Sequence, residues 1–245
     1  MIRIIIFIFF SFSLNSQESI LNIGHRGAKG HVPENTIASI YKAIELGADG
    51  IEIDVFRCNS GEIVLFHDKK LDKLTNGTGN IESMNLDELK TLKILGSEYA
   101  IPTLREVLNS IDKDVFLNIE LKGRNTAKGS FDLVREYVDI HKIELKNILF
   151  SSFDWEELKD LRALSNEVKL ALITGDDPLL AIDSALQLKA VAINPNYKDL
   201  NEHNISKIIS KGLKIYTWTV NRKQDIEKLK ALNVNGIITD FPDRF

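Results

Sequence analysis

From residue 20 onward, short apolar runs rich in β-branched residues alternate with longer stretches whose apolar positions recur at helical spacing. The first kind marks a strand and the second an amphipathic helix. Their regular alternation is the pattern of βα units around a parallel sheet. Strands are predicted at residues 22–24, 50–56, 115–121, 148–153, 169–173, 191–194, 214–220 and 236–239. Several are nearly continuous hydrophobic runs, as expected where helices cover one face of a sheet and a packed interior fills the other. Helices are predicted between them at residues 36–46, 104–110, 131–141, 155–164, 178–188, 202–210 and 223–232. Gly47 and Gly212 stand where helices stop, and Pro178 suits a first helical turn.

Eight such strands in a chain of 245 residues predict one α/β domain, residues 20–245, folded as a (β/α)8 TIM barrel. Only six residues follow the last strand, so no full eighth helix is expected and the wall should be thin at that seam. An apolar run at 62–66, after the turn Asn59-Ser60-Gly61, is read as a hairpin partner of the second strand. Residues 68–101 break the rhythm with the turn-forming stretch Thr75-Asn76-Gly77-Thr78-Gly79-Asn80, too long for an ordinary connection. Because Leu86, Leu89, Leu92 and Leu95 recur there at helical spacing, the segment is read as a small insertion or lid.

The first residues differ in kind from the rest. Arg3 precedes a dense apolar run at residues 4–10, thinning towards Leu14, and polar Asn15, Ser16 and Gln17 follow. A positive start, an apolar stretch too short to span comfortably and a small polar exit predict a signal peptide, residues 1–16, and export to the periplasm or medium. An uncleaved membrane anchor is the alternative. With 31 Lys and Arg against 35 Asp and Glu, net charge is −4 with no run of like charges, so no nucleic-acid surface is expected. Cys58 stands alone, which excludes an intrachain disulfide and a cysteine zinc site. Any anionic small-molecule substrate must therefore be met locally.

Glu52 and Asp54 lie two apart in Gly50-Ile51-Glu52-Ile53-Asp54-Val55-Phe56. Alternation puts both on one face of a strand and Ile51, Ile53 and Val55 on the other. If the apolar face packs under helices, the carboxylates point into the barrel, where they are costly without positive charge. Glu120 repeats the situation in Ile119-Glu120-Leu121-Lys122. Three inward carboxylates from two strands make an oxygen-ligand site suited to Mg2+ or Ca2+. Pairing with Arg26 and Lys122 alone is the simpler alternative. His25 ends the first strand in Gly24-His25-Arg26-Gly27, and His67 ends the hairpin strand. Two histidines at neighbouring strand ends could serve as acid and base on a phosphodiester oxygen. His31, His141 and His203 lie in loop or helix contexts and are given no role.

The order of motifs then matters. His25-Arg26-Gly27, Pro33-Glu34-Asn35-Thr36, Glu52-x-Asp54, His67-Asp68, Thr75-Asn76-Gly77-Thr78-Gly79, Ile101-Pro102-Thr103-Leu104, Glu120-Leu121-Lys122, Ser151-Ser152-Phe153, Trp218-Thr219-Val220-Asn221 and Gly236-Ile237-Ile238-Thr239-Asp240 occur in series. This series resembles that of the glycerophosphodiester phosphodiesterase family, from about residue 21 to the end. The resemblance implies a barrel, a divalent ion on Glu52, Asp54 and Glu120, acid and base histidines at His25 and His67, and phosphate contacts from Arg26 and Lys122. It also implies hydrolysis of glycerophosphodiesters to an alcohol and sn-glycerol 3-phosphate. Two stretches depart from the family pattern, Asp72-Lys73-Leu74-Thr75 and Phe56-Arg57-Cys58, neither at a position with an implied catalytic role. Trp218 either packs against glycerol carbons or is a core aromatic.

Three rival readings follow from the same residues. A related barrel enzyme acting on lysophospholipids would share the motifs, because specificity resides in loops. A metal-dependent barrel lyase needs three acids but has no use for His67. An inactive binding module should have lost at least one of His25, Glu52, Asp54, His67 or Glu120, and all are present.

Overall fold

The computed structural model describes residues 19–245; the apolar segment read as a signal lies outside them. The strands are β1 (Leu21–His25), β2 (Gly50–Arg57), the short β3 (Ile63–Leu65), β4 (Phe116–Leu121), β5 (Ile148–Ser152), β6 (Lys169–Thr174), β7 (Ala192–Pro195), β8 (Lys214–Thr217) and β9 (Gly236–Thr239). All but β3 run parallel in the order β1-β9-β8-β7-β6-β5-β4-β2, and pairing of β1 with β2 closes the ring. β3 is antiparallel to β2, with Val55 opposite Leu65, as the turn at Asn59-Ser60-Gly61 predicted.

The helices are α1 (Ile37–Glu45), α2 (Leu86–Thr91), α3 (Leu104–Ser110), α4 (Thr126–Asp139), α5 (Trp155–Leu164), α6 (Ile182–Gln187), α7 (Glu202–Ser210) and α8 (Lys223–Ala231). Ile51, Ile53 and Val55 are fully buried in the layer between strands and outer helices, with Ile40, Ala43 and Val107 among their company. A second, smaller core fills the barrel interior with Ile23, Leu149, Ala171, Ala192, Tyr216 and Ile238. These two layers account for the near-continuous apolar strands, since each face meets a different core.

Residues after β9 form one 3-10 turn, Pro242–Arg244, in place of an outer helix following that strand. The turn lies against the outside of β1, where the Asn22 side-chain amide donates to the Pro242 carbonyl at 2.9 Å, and Phe245 packs into the outer apolar layer. A single turn thus covers the seam, where no full helix stands.

Three local predictions change. The helix expected at 131–141 begins at Thr126, because the Glu157 carboxylate of α5 accepts the backbone N–H groups of Asn125, Thr126 and Ala127 at 2.6, 3.0 and 2.9 Å. That cap comes from 30 residues away and leaves no local signature. The strand expected at 214–220 ends at Thr217, since Trp218 turns its indole N–H to the Asn194 carbonyl at 2.8 Å.

The helical spacing of Leu86, Leu89, Leu92 and Leu95 holds for one element only, as α2 stops at Thr91 and Leu95 is exposed. Leu71, Ile81, Leu89, Ile94 and Ile101 instead form a third core with Phe56, Cys58, Val64 and Phe66 of the β2–β3 hairpin. The segment buttresses the hairpin; none of residues 69–101 lines the barrel-mouth cavity.

Candidate active site

Register brings the site together. Along the β1–β2 ladder His25 sits opposite Glu52, and along β2–β4 Asp54 sits opposite Glu120. Glu52 and Asp54 are almost wholly buried, and one oxygen from each of Glu52, Asp54 and Glu120 lies within 4.8 Å of the others. The cavity above them, about 450 Å³, is lined by His25, Arg26, His67, Lys122, Phe153, Asn194 and Trp218 as well as the acids Glu52 and Glu120. All eight residues singled out from the sequence therefore converge on one mouth at the carboxyl ends of the strands, the face on which barrel enzymes place their chemistry.

Arg26 adopts a left-handed backbone, φ 51°, followed by Gly27 at φ 81°, where a Cβ would collide with Ser39 of α1. That turn aims the Arg26 backbone N–H at Glu52 Oε2, 2.9 Å away, and its guanidinium at Glu34 (2.6 Å) and Asp54 (3.1 Å). Strained backbone of this kind is tolerated where the surroundings over-determine it, and active sites are its usual location. Lys122 Nζ lies 2.8 Å from Glu120 Oε1 and 3.9 Å from Asp54 Oδ1.

Each histidine has its own carboxylate. His25 Nδ1 is 2.6 Å from Asp240 Oδ1, and His67 Nδ1 is 2.6 Å from Asp68 Oδ1. An ionised carboxylate only accepts, so Nδ1 carries the proton in both rings and Nε2 is the basic atom. Asn221 braces Asp240 in turn, donating to Oδ2 at 2.7 Å and accepting the Asp240 backbone N–H at 2.9 Å. Burial holds both histidines below their ordinary pKa, against the opposing pull of Asp240 on one and Asp54 on the other.

The acids divide. Burial, with Asp54 and Glu120 nearby, pushes Glu52 well above the usual carboxylate range, and burial beside Asp54 pushes Glu120 up to about 7. Asp54 is desolvated too, but Arg26 and Lys122 outweigh that and hold it below its ordinary value. Three ionised acids are therefore more than these two cations can balance, the more so because Arg26 is shared with Glu34. Glu52 Oε1 and Asp54 Oδ1 are buried with no hydrogen-bond partner. Two orphaned carboxylate oxygens on β2, converging with Glu120 of β4, fit a hard divalent cation bound through oxygen, and simple ion pairing leaves them without a hydrogen bond.

Trp218 is half-buried, its ring edge-to-face with Phe153 at 5.5 Å, and Lys122 Nζ stands 5.7 Å from the Phe153 ring. It packs on the interior core and also lines the cavity. Asp240, Asn221, Asp68, Asn35 and Asn194 belong to the site and had been assigned no role. The first was within reach, since Thr239 of β9 pairs with Gly24 of β1, which places Asp240 beside His25.

The chain resembles known proteins in sequence and fold. A glycerophosphodiester phosphodiesterase of Caldanaerobacter subterraneus subsp. tengcongensis is 36% identical over 231 residues, covering 91% of this chain and 95% of the relative. One from Bacillus subtilis is 33% identical over 257 residues, covering 95% and 87%. Among solved structures, an Oleispira antarctica phosphodiesterase in complex with the product sn-glycerol-3-phosphate superimposes with a TM-score of 0.84 at 28% identity, covering 91% and 93%. The sequence profile of the glycerophosphoryl diester phosphodiesterase family runs from the first histidine of the site to the closing turn, residues 25–244, and the chain belongs to that family.

Proposed function

We propose that this protein hydrolyses glycerophosphodiesters to an alcohol and sn-glycerol 3-phosphate, with Glu52, Asp54 and Glu120 holding a divalent cation. The observation that carries the reading is the set of buried carboxylate oxygens without a hydrogen-bond partner, beside one cavity with two carboxylate-braced histidines and two cations. The Oleispira structure, with sn-glycerol-3-phosphate as its product, supports the substrate class. An oxygen-only ligand set favours Ca2+ or Mg2+ over softer metals.

A cation held by Glu52, Asp54 and Glu120 would neutralise the phosphodiester's negative oxygens, which otherwise repel a nucleophile. The Arg26 guanidinium and the Lys122 ammonium reinforce it from the cavity wall, each fixed by acids on the opposite side. With Nδ1 tied to an aspartate, each histidine presents Nε2 to the reacting centre. One Nε2 takes the proton of the nucleophile, either water or the neighbouring glycerol hydroxyl, while the other ring, protonated, gives its proton to the leaving alkoxide; where the hydroxyl attacks, the product is a cyclic phosphate, which water then opens to glycerol 3-phosphate with the two rings' roles exchanged. Depressed histidine pKa values keep the accepting ring neutral near pH 7. The half-buried Trp218 offers its face to glycerol carbons.

A release assay tests the reading: the protein in millimolar calcium or magnesium should liberate glycerol 3-phosphate from glycerophosphocholine and lose that activity in chelator. Faster turnover of lysophosphatidylcholine than of glycerophosphocholine would replace it with the lysophospholipid reading.

Export follows from the pattern of residues 1–16; no helix among the described residues is long and apolar enough to cross a membrane. Recovery of the full chain with Met1 intact from the cytoplasmic fraction would overturn it.

A further inference from the structure

Asn194 is the anomaly of the cavity. It lies on β7, four strands from β2 in either direction around the ring, and so faces the carboxylates across the barrel. Its side chain is wholly inaccessible to solvent, yet neither the amide nitrogen nor the amide oxygen has a hydrogen-bond partner. Its backbone carbonyl is occupied by the Trp218 indole, so only the side chain is left over. Leaving both ends of a buried amide unpaired is costly, and apolar Ile173 and Ile238 line the same cavity.

Granted the glycerophosphodiester reading, we propose that Asn194 recognises a hydroxyl of the substrate's glycerol moiety through both atoms of its amide. An amide oxygen repels a phosphate anion, and two cations already serve that group on the β1 and β4 side. A hydroxyl both donates and accepts, which matches a side chain with one unmet need of each kind. Exposure along the lining gives the orientation. Phe153 is exposed and Asn194 wholly buried, so the small constant glycerol is assigned to the Asn194 end and the variable alcohol to the solvent end.

The test compares binding of sn-glycerol 3-phosphate and propyl phosphate, which lacks both hydroxyls, to the full-length protein in saturating calcium by titration calorimetry. The parent should prefer glycerol 3-phosphate by about tenfold or more, the usual discrimination of a site built to hydrogen-bond a hydroxyl. Asn194→Leu, similar in volume, should abolish that preference and leave propyl phosphate affinity within about threefold. Removing two unpaired polar atoms should also raise Tm by about 2–4 °C. A variant that keeps the parental preference overturns the proposal, as does one in which both ligands weaken equally and Tm falls, the result of a merely structural amide or a buried water. Asn194→Ala gives the same comparison if the leucine does not fold. Failure of the parent to hydrolyse glycerophosphocholine or to bind glycerol 3-phosphate at all strikes the functional reading itself, and this inference falls with it.

Discussion

Asn35 grips Asp54 from both sides: its amide nitrogen donates to Asp54 Oδ2 at 2.9 Å and its amide oxygen accepts the Asp54 backbone N–H at 3.1 Å. The grip fixes the carboxylate rotamer and leaves Oδ1 for the cation. Asn35 itself sits at φ 54°, a conformation asparagine tolerates and glycine adopts freely. Asn35→Gly therefore removes the grip without adding backbone strain. Cation affinity and kcat/KM should each fall by about 10- to 100-fold, the usual worth of a group orienting a ligand, with circular dichroism unchanged. Parental calcium affinity in that variant would show that Asp54 needs no orienting.

The histidine pair separates phosphodiester hydrolysis from any reading that needs only a cation. His25→Asn and His67→Asn should each lower turnover of glycerophosphocholine by roughly a hundredfold to ten-thousandfold, the worth of a positioned proton transfer. Substrate binding should survive, because the cation, Arg26 and Lys122 still hold the phosphate. A nitrophenyl leaving group needs little protonation, so it should rescue only the variant that lost the acid. Turnover within about threefold of the parent in both variants would exclude the mechanism.

The architecture of this site is largely legible in the sequence. Alternation in Gly50-Ile51-Glu52-Ile53-Asp54 sufficed to place two acids inside a barrel, because a period of two leaves a strand only two faces. What was hidden came from contacts with no local pattern. The start of α4 depends on Glu157 of the next helix, and the orphaned amide of Asn194 is visible only once the opposite wall of the barrel is in place. The segment after β3 reads in sequence as an insertion or a lid alike because its polar turns are conspicuous, whereas its burial against Phe56 and Phe66 is a tertiary fact.

That burial carries a prediction. Leu89 is fully buried among Phe66, Leu71 and Ile81 in the third core, and Phe66 directly precedes His67. Leu89→Ala should cost roughly 2–5 kcal/mol, as cavities left by buried leucines do. The looser hairpin should also lower kcat/KM, although Leu89 lines no part of the cavity. Replacing residues 71–98 by a glycine-serine loop would expose Phe56, Val64 and Phe66 and should give an unstable barrel rather than one of altered specificity. Thermal denaturation of both variants, alongside kcat/KM of Leu89→Ala, checks this.

Cation affinity should depend on pH in a definite direction. Without the ion, Glu120 titrates at about 7 and Glu52 is raised in the same direction, while the ligand form is ionised. Affinity must therefore rise as pH increases to about 7, by up to about tenfold per unit from Glu120 alone, with Glu52 steepening the slope. The ion-free protein behaves oppositely. A carboxyl with a raised folded-state pKa stabilises most below its unfolded value, and that contribution is lost as pH rises through about 7. Calorimetric titration with calcium at about pH 5.5, 6.5 and 7.5 measures the first effect, and Tm of chelated protein across the same range the second. Affinity flat across this window would exclude Glu120 and Glu52 as ligands.

Glu157 offers the final prediction because it links a helix start to the phosphate site. It is 6% exposed and accepts hydrogen bonds from three successive backbone N–H groups and from Thr126 Oγ1 (3.1 Å), at the positive end of α4. Lys122 lies three residues before the first of those donors, on a loop whose Gly123 is in such close quarters that a Cβ would fall 2.6 Å from the Phe56 ring. Glutamine keeps the volume and one acceptor but loses the charge, so Glu157→Gln should destabilise the fold by roughly 1.5–3 kcal/mol, the worth of hydrogen bonds to an ionised group. Freed from its anchor, the loop should let Lys122 wander, raising KM for glycerophosphocholine more than it lowers kcat. Lys122→Met should already have lost that contact, so adding Glu157→Gln to it should leave KM nearly unchanged while Tm still falls. If the two changes instead multiply in KM, Glu157 stabilises α4 without positioning Lys122.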